Sequence, residues 1–190
     1  VPIKTTTDKE KSSYEMGGID SYKMYDMVMK WDWRNGESSK IYHDPETRKN
    51  SISYRTNMSR LMEQLINEGK KEKAKKIIDL AMAKMPLEFY DYYTMVEPFA
   101  GGYYAIGEKE KARKILDQLM TKYKENLKFY SNMKSSEQSA IGIDIVTDIE
   151  RYRSLLLLMK ERGDIEFYNK NKPVFNSYNK IFARFSRENE

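Results

Sequence analysis

The chain has no cysteine among its 190 residues. Disulfides, thiolate catalysis and cysteine-based zinc sites are therefore excluded. A single histidine, His43, leaves any transition-metal site to carboxylates almost alone, and no acidic cluster at ligand spacing appears. No nucleophile elbow and no phosphate-binding glycine loop is written anywhere. Long apolar runs are absent too. The longest, Leu155 to Met159, lies between Arg153 and Lys160, far short of the roughly 18–20 residues that span a bilayer. The start carries no signal-peptide pattern, and its first residue is Val1 rather than methionine, so the chain reads as a processed product or a piece of something longer.

Charge is plentiful but mixed. Thirty-four basic residues face 29 acidic ones, a formal excess of +5, and hydrophobic residues make up 39%. A solvated mixed-charge helical surface accounts for this pattern. The lysine-rich stretches alternate with acids and carry no interleaved aromatic platform, which argues against nucleic acid as a partner.

Glycine and proline are few, nine and five, and they punctuate a repeat. GKKEKAKKIIDLAM begins at Gly69, and GEKEKARKILDQLM begins at Gly107, 38 positions on. Met58, Leu61, Met62, Leu65 and Ile66 recur at helical spacing before Gly69. Ala74, Ile77, Ile78, Ala81, Met82 and Met85 follow it, and Pro86 stops that helix. The order then restarts with Val96, Phe99, Ala100, Tyr103 and Tyr104, then Gly107, then Ala112 to Tyr123. Pro98 marks the first turn of this third helix or a kink in it. Such a hairpin cannot bury its apolar face alone and stacks on a copy of itself.

Leu61, Gly69, Ala74, Ala81 and Pro86 fit the tetratricopeptide pattern, as do Ala100, Tyr103, Gly107 and Ala112. The second unit lacks the closing proline, and its spacing exceeds the usual 34 or so residues. The expected fold is all-α: a tetratricopeptide-like stack of antiparallel helical hairpins behind an irregular N-terminal extension. Residues 1–50 form the lead-in. Within them, one short helix has Met24, Met27, Val28 and Trp31 on its apolar face, and a loop spans 35–50. The helical-repeat domain covers 51–190, with hairpins at about 52–86, 90–124 and 143–186 and a connector over 125–142. Pro173 interrupts the last helix or starts its main part. Gly101-Gly102 serves close helix packing, or the approach of a ligand to the backbone.

First helices line the concave groove in such stacks. The candidate groove residues are Ser59, Glu63, Asn67, Thr94, Glu97 and Tyr104. They suit a peptide, or a sugar stacked on an aromatic face; the competing assignment is that the local tyrosines fill the hairpin interface. No catalytic, cofactor-binding or metal-binding residue is assigned. His43, in a turn before Asp44-Pro45, reads as structural or exposed.

Four motifs carry a resemblance: VPIKT at the start, GGID at 17–20 before a Met/Tyr-rich helix, R-x-N-x-x-R-L at Arg55, Asn57, Arg60 and Leu61, and E-G-K-K at 68–71. Over about residues 1–130 the chain resembles the soluble C-terminal region of the bacterial protein O-mannosyltransferase-like multi-spanning membrane proteins, a domain of unknown function. The resemblance implies sugar transfer from a lipid-linked donor, with catalytic acidic residues in loops among membrane helices and none in this chain. It implies a non-catalytic, extracytoplasmic module on the periplasmic side of the inner membrane. That module would position a protein or peptide, a glycan, or the remainder of the membrane-embedded chain. A free-standing scaffold binding a peptide in its groove is the alternative.

Overall fold

The computed structural model describes residues 3–4 and 18–186. Two compact units divide the chain, one up to Glu108 and one from Lys109 on. Every described element is helical except a strand pair, β1 (Ile3–Lys4) antiparallel to β2 (Gly18–Ile19), with Ile3 opposite Ile19 and Lys4 opposite Gly18. The lead-in thus contains a short ladder; its residues 1–2 and 5–17 lie outside the described ones.

In the first unit, α1 (Ser21–Met29) opens where the Asp20 carboxylate accepts the Lys23 N–H. Met24 and Val28, four apart, turn inward. Met27 does not, contrary to expectation: it is 46% exposed. Trp31 lies past the helix end. The expected 35–50 loop is also shorter than predicted, because α2 (Pro45–Asn67) starts at Pro45. Asp44 accepts the Thr47 N–H, and Pro45 sits in the first turn, where its missing N–H costs nothing. Asp44-Pro45 is thus a helix start rather than a turn.

Gly69 and Gly107 adopt the left-handed conformation at φ 73° and 92°, ending α2 and the helix that closes at Ile106. After Gly69 comes α3 (Lys71–Lys84), which packs antiparallel on α2 and stops before Pro86. A short α4 (Leu87–Tyr90) and a 3-10 turn (Tyr93–Val96) lead to α5 (Glu97–Ile106), with Pro98 in its first turn rather than at a kink. Packing of α5 is against both α2 and α3. A Cβ on Gly102 would stand 2.2 Å from Met62 Sδ and 3.1 Å from Ile78 Cδ1, so the glycine gives the ends of these two side chains the space they occupy between the three helices.

The second unit holds α6 (Lys109–Ser131), α7 (Ser135–Ala140), α8 (Gly142–Glu161), α9 (Ile165–Ile181) and α10 (Ala183–Ser186). Helix α8 packs against α6 and α9. The predicted 125–142 connector is largely helical. Leu127, fully buried four residues after buried Tyr123, extends the inward stripe and carries α6 to Ser131. Pro173 sits inside α9 without ending it. The carbonyl it leaves without a helical donor belongs to Asn169, an exposed residue. The repeated stretch keeps one register in both units. Ala74, Ile77, Ile78 and Ala81 are buried in α3, as are their counterparts Ala112, Ile115, Leu116 and Leu119 in α6.

Candidate functional site

Of the six predicted groove residues, Ser59, Glu63 and Asn67 recur every four residues on α2. Thr94 lies in the 3-10 turn, and Glu97 and Tyr104 lie on α5. Glu63 and Asn67 are exposed. Ser59 is 8% exposed, and its hydroxyl donates to the Thr56 carbonyl of its own helix. Thr94 borders a hollow of about 440 Å³ with Pro45, Arg48, Asp91, Tyr92 and Tyr93. Glu97 and Tyr104 are half-buried.

A better-formed site lies where the sequence was read as helix face and loop. Trp31, Asp32, Trp33, Thr47, Asn50, Ser51, Tyr54, Met85 and Tyr90 line a cavity of about 470 Å³. Trp31, Trp33 and Tyr54 form a closed aromatic set, with centroids 5.4, 5.3 and 5.7 Å apart and planes inclined 61°, 73° and 56°. The two pairs that Trp31 makes are edge-to-face, the favoured aromatic geometry, and the Trp33–Tyr54 pair is tilted. Thr47, Asn50 and Tyr54 share one face of α2 at i, i+3 and i+7. Both tryptophans of the protein fall within three residues, in WDW ahead of Asn35-Gly36. That doublet was the one signal in the sequence that could have located the pocket.

The 31–44 segment is held in place from α3 and α4. Lys84 donates to the Glu37 carboxylate, which holds that carboxyl below its ordinary value. The Tyr90 hydroxyl donates to the Gly36 carbonyl at 3.1 Å. Burial, with the Glu37 charge adding, raises the Tyr90 phenol above its usual range. His43 is buried rather than exposed. Its ring stacks on Phe89 at 5.7 Å and leans on Tyr90 at 4.8 Å.

Arg55, next to Tyr54 on α2, is fully buried. Its Nη2 donates to the Met85 carbonyl at 2.9 Å, and its Nη1 donates to the carbonyls of Asp91 and Tyr92 at 2.5 and 3.2 Å. Desolvation pushes its guanidinium down to about 10, still charged at neutral pH. Asp91 and Tyr92 have φ of 52° and 45°, a costly conformation for side-chain-bearing residues that the guanidinium clamps. Trp33 Nε1, Glu37 Oε2, both His43 ring nitrogens and Arg55 Nε are buried without a hydrogen-bond partner among the described residues. Such groups are uncommon in folded proteins; of these, Trp33 lines the cavity, and the Tyr152 hydroxyl is a further case in the second unit.

The second unit carries a charged cluster. Asp164, in the turn between α8 and α9, is 1% exposed and accepts from Arg113 Nε at 2.9 Å and Nη2 at 2.7 Å; Lys109 Nζ lies 3.1 Å away. Its role is to fasten α9 to α6. No helix among the described residues is long and apolar enough to cross a membrane. Comparison with family models, with curated proteins and with solved structures finds no match.

Proposed function

We propose that this chain is a non-catalytic interaction module built as a tetratricopeptide-like helical stack, the extracytoplasmic accessory part of a membrane glycosyltransferase-like protein. The observation that carries the module reading is the packing of α5 against both members of the α2–α3 hairpin through Gly102. A first helix docking on the whole preceding hairpin is how repeat stacks bury a face that one hairpin cannot. Burial of the same register in α3 and α6 supports the repeat reading further. The accessory role rests on the sequence motifs at 17–20, 55–61 and 68–71. In that role the module positions a protein, peptide or glycan for a catalytic centre elsewhere.

Fractionation of native cells, probed with an antibody against this domain, tests the accessory role. A membrane-fraction band far heavier than 22.6 kDa is expected. A band of that mass outside the membrane fraction overturns the membrane assignment and leaves the scaffold.

A free-standing peptide scaffold is the second reading, favoured by Glu63 and Asn67, exposed one turn apart on α2. Under it, the Glu63→Ala, Tyr104→Ala double variant loses peptide binding.

A further inference from the structure

We infer that the Trp31–Trp33–Tyr54 cavity is a binding site for a neutral oligosaccharide. The inference stands on the cavity alone and holds for a free chain and a tethered one alike. A sugar presents an apolar C–H face and a rim of hydroxyls. Its complement is an aromatic wall flanked by groups that donate and accept hydrogen bonds. The cavity supplies both. Its wall is the aromatic set, and its rim is Asp32, Thr47 and Asn50. At about 470 Å³ it falls within the roughly 300–1,000 Å³ usual for small-molecule sites.

Preorganisation favours the same ligand. Each ring is braced by the other two, so little side-chain freedom is lost on binding. The Asn50 carboxamide and the Tyr54 hydroxyl are exposed and make no hydrogen bond among the described residues, leaving donors and acceptors open to a ligand.

Charge selects against the alternatives. Among the described residues no lysine or arginine lines the cavity, so an anion finds no counter-charge there. Asp32, the one lining carboxylate among the described residues, already accepts the Arg34 N–H at 2.9 Å and lies 3.8 Å from its guanidinium. A cation therefore finds a partly compensated charge. It also finds rings that contact one another instead of standing around an open centre, as an ammonium cage requires.

Trp31 and Trp33 are the protein's only tryptophans, so tryptophan emission, excited selectively over tyrosine, reports this cavity. The experiment titrates the intact chain with cellotriose, mannotriose and tri-N-acetylchitotriose. Tetramethylammonium chloride and a trilysine peptide serve as comparison probes. A saturable emission shift with at least one trisaccharide is expected. Asn50→Ala, on an exposed helix surface, weakens it about three- to tenfold with unchanged circular dichroism. Tyr54→Phe, which keeps the ring, weakens it less. No saturable shift with any trisaccharide overturns the inference. So does saturation by tetramethylammonium or trilysine alone, or a sugar response that Asn50→Ala leaves unchanged.

Discussion

Arg55 offers the sharpest test of how the first unit is held together. Its fully buried guanidinium serves three carbonyls, those of Met85, Asp91 and Tyr92, and so ties the end of α3 to the positive-φ pair from inside α2. A hydrogen bond from a charged donor contributes about 1.5–3 kcal/mol. Desolvating the ion costs several kcal/mol, which takes back much of the sum of three such bonds. The sign of the net effect therefore depends on what each carbonyl finds when the donor is gone. Asp91 and Tyr92 lie at the surface, and water can replace the guanidinium there. Met85 is 2% exposed, and its carbonyl would stay dry and unpaired. Arg55→Ala also leaves a cavity, so a loss of about 3–5 kcal/mol is expected. Arg55→Met keeps most of the volume and removes the buried charge; the unpaired Met85 carbonyl alone then costs about 1–3 kcal/mol. Urea unfolding followed by tryptophan emission measures both, since Trp31 and Trp33 belong to the same unit as Arg55. A methionine variant as stable as the parent, or more so, would refute the reasoning: desolvation would then outweigh the three bonds, and the clamp would be a net burden.

Gly102→Ala should destabilise by about 1–3 kcal/mol through overpacking against Met62, despite the better helix propensity of alanine. Adding Met62→Ala should relieve part of that cost, visible as non-additivity in urea unfolding; additive losses would count against the close approach. Asp164→Ala should cost about 3 kcal/mol, since Arg113 and Lys109 lose their carboxylate but keep some access to water. Hydrogen exchange should then show α9 opening first. Burial raises the Asp148 carboxyl above its ordinary 3.8, outweighing the bonds from Asn126 and Tyr130 that lower it, and Asp144 adds to the rise. Between 3.8 and that raised value the folded state binds more protons than the unfolded one. The second unit therefore loses stability as pH rises through that window. Asp148→Asn should flatten the slope of α8 amide protection across it; an unchanged slope would point to another titrating group.

Much of the fold was legible because burial is periodic. The stripes at 58–66, 74–82, 99–104 and 112–123 each lie on one helix, and Gly69 and Gly107 took the left-handed conformation that the breaks required. Periodicity misled where the inward face was polar or the stripe was short. The start of α2 buries Ser51 and Arg55 instead of aliphatic residues, so its first turns, from Pro45 to Asn50, read as loop. Met27 carried the right chemistry on the wrong side of a nine-residue helix.

The pocket was harder to see because none of its walls is a local pattern. Trp31 and Trp33 precede α2 by a dozen residues, Asn50 and Tyr54 lie on it, and Tyr90 arrives from beyond α3. What joins them is a set of contacts distant in sequence: Lys84 with Glu37, Tyr90 with Gly36, and Arg55 with the 91–92 carbonyls. An arginine in the middle of a helix reads as surface in any sequence. Here its burial is forced by the 91–92 turn, whose positive φ angles appear in no residue preference, since aspartate and tyrosine stand where glycine would be expected. The costly turn is held by a buried ion that bonds the Met85, Asp91 and Tyr92 carbonyls. The strain makes sense if the clamp sets the position of Met85 and Tyr90 at the cavity wall, so that the pocket rather than the core is what the turn preserves.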